Sequence, residues 1–299
     1  MTEFGVLNWS ILIVYVVANI LLGLVIGKKI KTDQDFYIGQ KNTPWWAIGI
    51  SVVATYVSAM TFLGAPAWAY KEGISVIAIH LNYPLVIMAV IIFFFPFFYN
   101  AGVASIYEYQ EKRFGKRARA LISSIWLVSQ TMSSAAVLYA TSVVLSFITG
   151  IDVISAIVII TIIALIYTVM GGITAVIWTD VIQSFILFAG AGIIFYVLLQ
   201  ESSVPVMESL AQLKEQGKLD PLNFDFDFTA TTTVWSGIIA MSLYHTTVYG
   251  TNQMMVQRTL AAKNIGDAKK SYLLMGFAAF FIYLFFIVLG VLFYNYYQG

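Results

Sequence analysis

Apolar residues run along this chain in blocks of about 20, the length that crosses a hydrocarbon core, separated by short polar stretches. Eight such blocks are predicted as membrane helices, at 6–27, 46–70, 74–99, 120–148, 152–170, 174–200, 231–250 and 271–297. The second block departs from the rest. Its run GISVVATYVSAMTFLGAPAWAY (49–70) is long enough to span a bilayer, yet it places Thr55, Ser58 and Thr61 near its middle and then Gly64 and Pro66. Proline removes a backbone donor, glycine weakens a helix, and freed backbone groups at membrane depth are tolerated only beside protein, water or a solute. The pattern predicts a discontinuous helix lining a site, as in transporter cores.

The polar intervals predict two surface elements. SIYEYQEKRFGKRARA, between the third and fourth blocks, suits a short helix at the membrane interface, and VMESLAQLKEQ, within 201–230, an amphipathic surface helix. NFDFDF (223–228) reads as an extended connector; its two aspartates lack the further ligands and the glycine of a calcium loop. No low-complexity linker divides the chain, so residues 1–299 are expected to form one transmembrane domain.

Composition agrees with the pattern: 60% of residues are hydrophobic and 10% charged, where a soluble domain carries about 25% charge. The lipid bilayer is thus the expected surroundings. A net charge of +1, with no basic patch outside the membrane-flanking loops, gives no support to nucleic-acid binding. The absence of cysteine rules out disulfides, thiolate metal sites and a cysteine nucleophile. Before the first block there is no basic segment, and no small-residue cleavage site follows it, so that block is expected to be retained as a span.

Charge placement gives an orientation. Lys28, Lys29, Lys31 and Lys41 follow the first block, Lys112, Arg113, Lys116, Arg117 and Arg119 the third, and Arg258, Lys263, Lys269 and Lys270 the seventh; Lys71, Lys214 and Lys218 lie in the alternate loops. The three richer loops are expected to be cytoplasmic and the N-terminus external.

Asp180 is the acid placed most clearly inside a block, in VMGGITAVIWTDVIQ, where Gly171 and Gly172 are expected to turn the chain and Thr179 and Gln183 add oxygens. A carboxylate at that depth costs a few kcal/mol and marks a functional site by default. No Lys or Arg falls within a predicted block, so a cation is expected there in preference to a structural salt bridge. His80 and His245 also lie in blocks. His80, beside Asn82 and Pro84, is expected to face a solute. His245, in MSLYHTTVYG, makes the seventh block a second polar, glycine-flanked helix, and such a pair in two halves points to an inverted repeat with a site at the midplane. One buried acid and two separated histidines form no catalytic constellation, so no catalytic residues are assigned and no enzyme is expected.

DFYIGQKNTPWWAIGIS (35–51), SIYEYQEKRFG (105–115), MGGITAVIWTDVIQ (170–183) and VYGTNQMMVQRTLAAKN (248–264) together resemble the sodium:solute symporters, most of all the branch carrying monocarboxylates, vitamins and iodide, with bacterial sialic acid carriers similar too. The resemblance implies an all-α, five-plus-five inverted-repeat, LeuT-like fold preceded by an extra helix: residues 6–27 the extra helix, 46–200 the first repeat and 231–297 the start of the second. Members of the family are much longer, so the chain is expected to be an N-terminal portion, with the serines that complete the main sodium site lying on a later helix.

The same resemblance implies Na+ as coupling ion, bound by the carbonyls of Ala54 and Val57, with Asp180 and Thr179 at a second site. It places Tyr56, Ser58, Thr61, His80 and Ser133 at the solute. Ser133 stands where one type of sialic acid carrier has an arginine, Thr61 where iodide carriers have an amide, and the aspartate of proline carriers near Val57 is missing. Sodium-coupled import of a small organic anion across a cell membrane is the implied function. A sugar or proline symporter and a passive channel are the alternatives.

Overall fold

The computed structural model describes residues 4–103, 105–201, 206–227 and 229–298. Helices build it, with two isolated bridges, Thr43 to Ala262 and Asn223 to Thr233, as the extended pairing among the described residues. Helix α1 (Val6–Gly27) leads to a short α2 (Asp33–Tyr37), started by a capping box in which Thr32 accepts from the Asp35 N–H and the Asp35 carboxylate accepts from the Thr32 N–H. The second predicted block divides into α3 (Trp45–Tyr56) and α4 (Ala59–Glu72). The third block is a composite: a 3-10 segment (Gly73–His80), α5 (Tyr83–Ala89), a π turn (Val90–Phe94) and α6 (Phe95–Asn100).

Helix α7 (Ile106–Phe114) is capped by the Ser105 side chain and stops at Gly115. It is the expected interfacial helix, shorter than its predicted stretch because residues 116–120 belong to α8 (Lys116–Thr149). Then come α9 (Val153–Gln200), the expected surface helix α10 (Val206–Glu215), a π turn (Ser236–Ala240), α11 (Met241–Thr251), α12 (Gln253–Leu260) and α13 (Ile265–Gln298). Residues 223–227 of the expected connector are non-helical, and Phe228 lies outside the described residues. Among the described residues, five stretches are long and apolar enough to cross a membrane: Val6–Gly27, Met60–Asn100, Lys116–Thr149, Val153–Gln200 and Ile265–Tyr297.

Helix α9 spans 48 residues but folds back on itself. Gly172 has φ 54° and ψ −158°, and a Cβ there would also meet the Phe36 carbonyl oxygen at 2.6 Å, so only glycine fits. Before that point α9 runs alongside α1 in the same direction, with Gly23 against Tyr167 and Gly27 against Met170. After it the direction reverses: Ile182 and Ile186 line a groove with Tyr15, Val14 and Ile11. The expected turn at Gly171 and Gly172 is therefore present, and it brings Asp180 back along α3.

The two ends of the bundle differ in charge. At one end the three basic loops meet: Gln257 Nε2 donates to the Tyr37 carbonyl (2.8 Å), the Ile106 N–H to Gln253 Oε1 (3.0 Å), and the Tyr99 hydroxyl to the Ala262 carbonyl (3.1 Å). At the other end Lys218 donates to the carbonyls of Tyr70 (3.2 Å) and Lys71 (2.5 Å) and stands 4.4 Å over the Tyr294 ring. Between them the core gathers on α3 and α13, whose buried Val52, Tyr272, Met275 and Phe286 share one apolar cluster. By contrast, α8 buries Ser142 alone and turns Leu121, Val128 and Phe147 outward, a surface suited to hydrocarbon.

Candidate solute and cation site

The site begins where α3 ends. Val57 (ψ 91°) and Ser58 (ψ 176°) are extended, so the helical ladder stops at the Val57 N–H, which bonds the Val53 carbonyl at 2.8 Å, and resumes with the Phe62 N–H on the Ser58 carbonyl at 3.0 Å. The expected discontinuity is real, but its place differs. Pro66 lies inside a continuous α4, where its ring costs one hydrogen bond without ending the helix.

A helix C-terminus leaves its last carbonyls unpaired and carries partial negative charge, which suits a cation. The carbonyl end of α3 opens into a cavity of about 280 Å³ lined by Ala54, Val57 and Ser58 with Gln183 and Ser184 of α9 and Val137 of α8. Ala54 and Val57, expected at sodium, are thus brought to one cavity. Ser58, expected at the solute, lines this same cavity. Gln183 and Ser184 are its additional oxygens; the sequence reading noted Gln183 only as a neighbour of Asp180.

On the other side of the break a second cavity, of about 230 Å³, is walled by Tyr56, Trp68, His80, His245 and Tyr283, with Thr61 at its edge. The His80 ring stacks on Tyr283 with centroids 3.9 Å apart and shares a hydrogen bond with Tyr83 (Nδ1 to hydroxyl, 3.0 Å). His245 is held on both ring nitrogens, Nε2 at 3.0 Å from the Tyr56 hydroxyl and Nδ1 at 2.9 Å from the Asn82 amide. None of the described residues lining this cavity carries a charge. Tyr56, Thr61 and His80 are brought together as expected. Ser133 is not: it stands exposed on α8 and lines neither cavity. Three of these wall residues were missed as site members: His245, which its polar surroundings had marked, and Trp68 and Tyr283, which nothing in their apolar helices distinguished.

Asp180 occupies a third setting. Its Oδ2 accepts from Ser51 Oγ (2.5 Å) and from Arg258 Nη2 (3.1 Å), while Arg258 Nε donates to Ser51 Oγ (2.9 Å) and Nη1 to the Met254 carbonyl (3.0 Å). The sequence reading preferred a cation to a structural salt bridge here because no Lys or Arg falls within a predicted block, and Arg258 supplies that salt bridge from outside the blocks. Arg258 belongs to the loop after the seventh block by sequence, but α12 folds inward and carries its side chain to α3. Thr179, buried beside it, turns its hydroxyl to the Val176 carbonyl (2.9 Å). With the charge compensated, the cost of burial gives no argument for a cation at Asp180.

A family profile described as "Sodium:solute symporter family" matches residues 36–298. The chain belongs to that family. Among its relatives, the sodium/sialic acid symporter SiaT of Proteus mirabilis is 31% identical over 99% of this chain and 60% of its own length. The sodium-coupled monocarboxylate transporter 1 of Homo sapiens is 33% identical over 81% of the chain and 39% of its own length. A solved structure, the substrate-bound outward-open state of a Na+-coupled sialic acid symporter, superposes with a TM-score of 0.92 at 31% identity, covering 99% of this chain and 62% of that one. The sodium:solute symporter chain described here is accordingly a multi-pass membrane protein of LeuT-like fold, and it spans about three fifths or less of the length of these relatives. The family and the relatives are transporters.

Proposed function

We propose that the complete protein is a sodium-coupled symporter that imports a small organic anion of monocarboxylate, vitamin or sialic acid type by alternating access, and that it is not an enzyme. The observation that carries this is the break at Val57 and Ser58 with a carbonyl-lined cavity on one side and a ring-lined cavity on the other. Sodium at Ala54 and Val57, near Ser58, Gln183 and Ser184, would order the break and so raise affinity for a solute touching Tyr56, Thr61 and His80. That coupling is reciprocal in binding free energy. Sodium entry, worth about 2.3 kcal/mol per charge per 100 mV, drives accumulation.

The reading includes eight crossings in a single domain, with an extra helix (6–27), a first repeat (46–200) and the start of a second (231–297). It places the chain in a plasma or inner membrane with the basic end cytoplasmic and the N-terminus outside. A second sodium ion at Asp180 and Thr179, and solute contact by Ser133, rest on the resemblance alone. A sugar is the second reading for the solute, favoured by the uncharged, ring-rich wall of the solute cavity.

The test is sodium-dependent uptake by the complete protein of lactate, pantothenate, sialic acid, proline and glucose. Accumulation of a carboxylate against its gradient only when sodium is present is expected. Conductance far above carrier turnover without accumulation would instead mark a channel. Asp180→Asn tests the second ion: unchanged sodium dependence removes that site from the proposal.

A further inference from the structure

His245 joins two parts of the site that the symport reading leaves separate. It sits fully buried on α11, between Tyr56, the last residue of α3 before the break, and Asn82, which precedes α5. Its Nε2 is 3.0 Å from the Tyr56 hydroxyl; its Nδ1 is 2.9 Å from Asn82 Nδ2 and 3.1 Å from Asn82 Oδ1. Asn82 is also fully buried, so water does not compete for its contact with His245, whereas the Tyr56 hydroxyl borders the cavity.

A neutral imidazole carries one donor and one acceptor, which leaves two consistent settings. In the first, Asn82 Oδ1 accepts from Nδ1–H. Nε2 is then an acceptor, it takes the Tyr56 O–H, and the phenol shows the cavity lone pairs alone. In the second, Asn82 Nδ2 donates to Nδ1, Nε2–H donates to the Tyr56 oxygen, and the phenolic O–H turns free. A carboxylate only accepts, and among the described residues no Lys or Arg lines the ring-walled cavity. Both Asn82 amide atoms lie within hydrogen-bond reach of Nδ1, and the second setting alone gives Tyr56 a proton to offer an anion.

We propose that His245 is a positioning residue, held by Asn82 with its proton on Nε2, so that the Tyr56 hydroxyl is donated into the cavity to an acceptor oxygen of the solute. This rests on the organic-anion reading above. It makes the polarity of Tyr56, and through it the preference for acceptor groups over donor groups, a property of its neighbour in the cavity wall.

The test uses the complete protein in nanodiscs with 15N-labelled histidine, the His245 signals being assigned by their loss in His245→Gln. Protonated Nε2 with unprotonated Nδ1 is expected, and Asn82→Asp, which can only accept, is expected to move the proton to Nδ1. Protonated Nδ1 in the unaltered protein would overturn the proposal. A second readout is sodium-driven uptake of whichever carboxylate among lactate, pantothenate and sialic acid is accumulated. Tyr56→Phe and His245→Phe should each raise KM about three- to tenfold, the range of one hydrogen bond, with kcat within about twofold. The double variant should be no worse than either single one, and His245→Gln, which keeps a donor toward Tyr56, should recover most of the loss. Additive effects, or loss of kcat alone, would overturn the positioning role. Failure of every carboxylate to accumulate would sink the organic-anion reading, whereas the tautomer is measured without transport and is decided separately.

Discussion

Two polar clusters hang on α3, and they are built on opposite principles. Ser51 joins Asp180 and Arg258 in a charged cluster whose carboxylate and guanidinium compensate one another. Tyr56, at the end of the same helix, joins His245 and Asn82 in a neutral one that borders a cavity. In each, a residue from the stretch after the second π turn reaches back to α3, Arg258 from α12 and His245 from α11. The difference teaches where fixity and exchange reside. A largely buried ion pair is closed, since removing either partner strands a charge. A neutral cluster beside a cavity can trade one hydrogen bond for another at little cost, which is what admitting and releasing a solute requires.

The comparison breaks first at Arg258. Arg258→Met, which leaves the partly buried Asp180 carboxylate without its cation, is expected to cost about 1–3 kcal/mol in denaturant unfolding of the complete protein. Adding Asp180→Leu should recover most of it. A loss below about 1 kcal/mol would mean that the pair anchors nothing.

Gly172→Ala comes next, because the turn at Gly172 carries Asp180 back to α3. A side chain at φ 54°, pressed on the Phe36 carbonyl, is expected to cost about 2 kcal/mol. Unchanged stability would show that the fold-back tolerates another geometry. The smallest effect on stability is expected at Ser133: Ser133→Ala should stay within about 0.5 kcal/mol, as at exposed positions generally, and its KM tests the solute contact that the resemblance alone implies. A clear rise in KM would place α8 against the solute and enlarge the neutral cluster.

Much of the scaffold was legible in the chain. Apolar block length located α1, α8, both arms of α9 and α13, the Lys and Arg loops foretold which connections share one end of the bundle, and Gly171–Gly172 announced the reversal inside α9. The site was legible in part. Tyr56, Thr61 and His80 meet around one cavity, and Ala54 and Val57 around the other, as the family resemblance implied. The break itself was misplaced. Gly64 and Pro66 are the residues that oppose helix formation locally, but α4 runs through them, and the chain opens instead at Val57 and Ser58, whose types carry no such signal. Arg258 was assigned to a loop because span counting uses distance along the chain, whereas α12 turns inward and closes that distance in space.

The sequence by itself determined how many apolar lengths there are, which loops are basic and where the backbone must take a positive φ, because each depends on residues close together in the chain. Only the tertiary structure decided the charge state of the buried clusters. Whether Asp180 is alone or paired, and whether His245 faces lipid, protein or cavity, depends on contacts between residues dozens of positions apart: Asp180 with Arg258 and Ser51, His245 with Tyr56 and Asn82. The broken helix α3–α4 could be foreseen as a break. That it separates a carbonyl-lined cavity from a ring-lined one follows from packing against α9 on one face and α11 and α13 on the other.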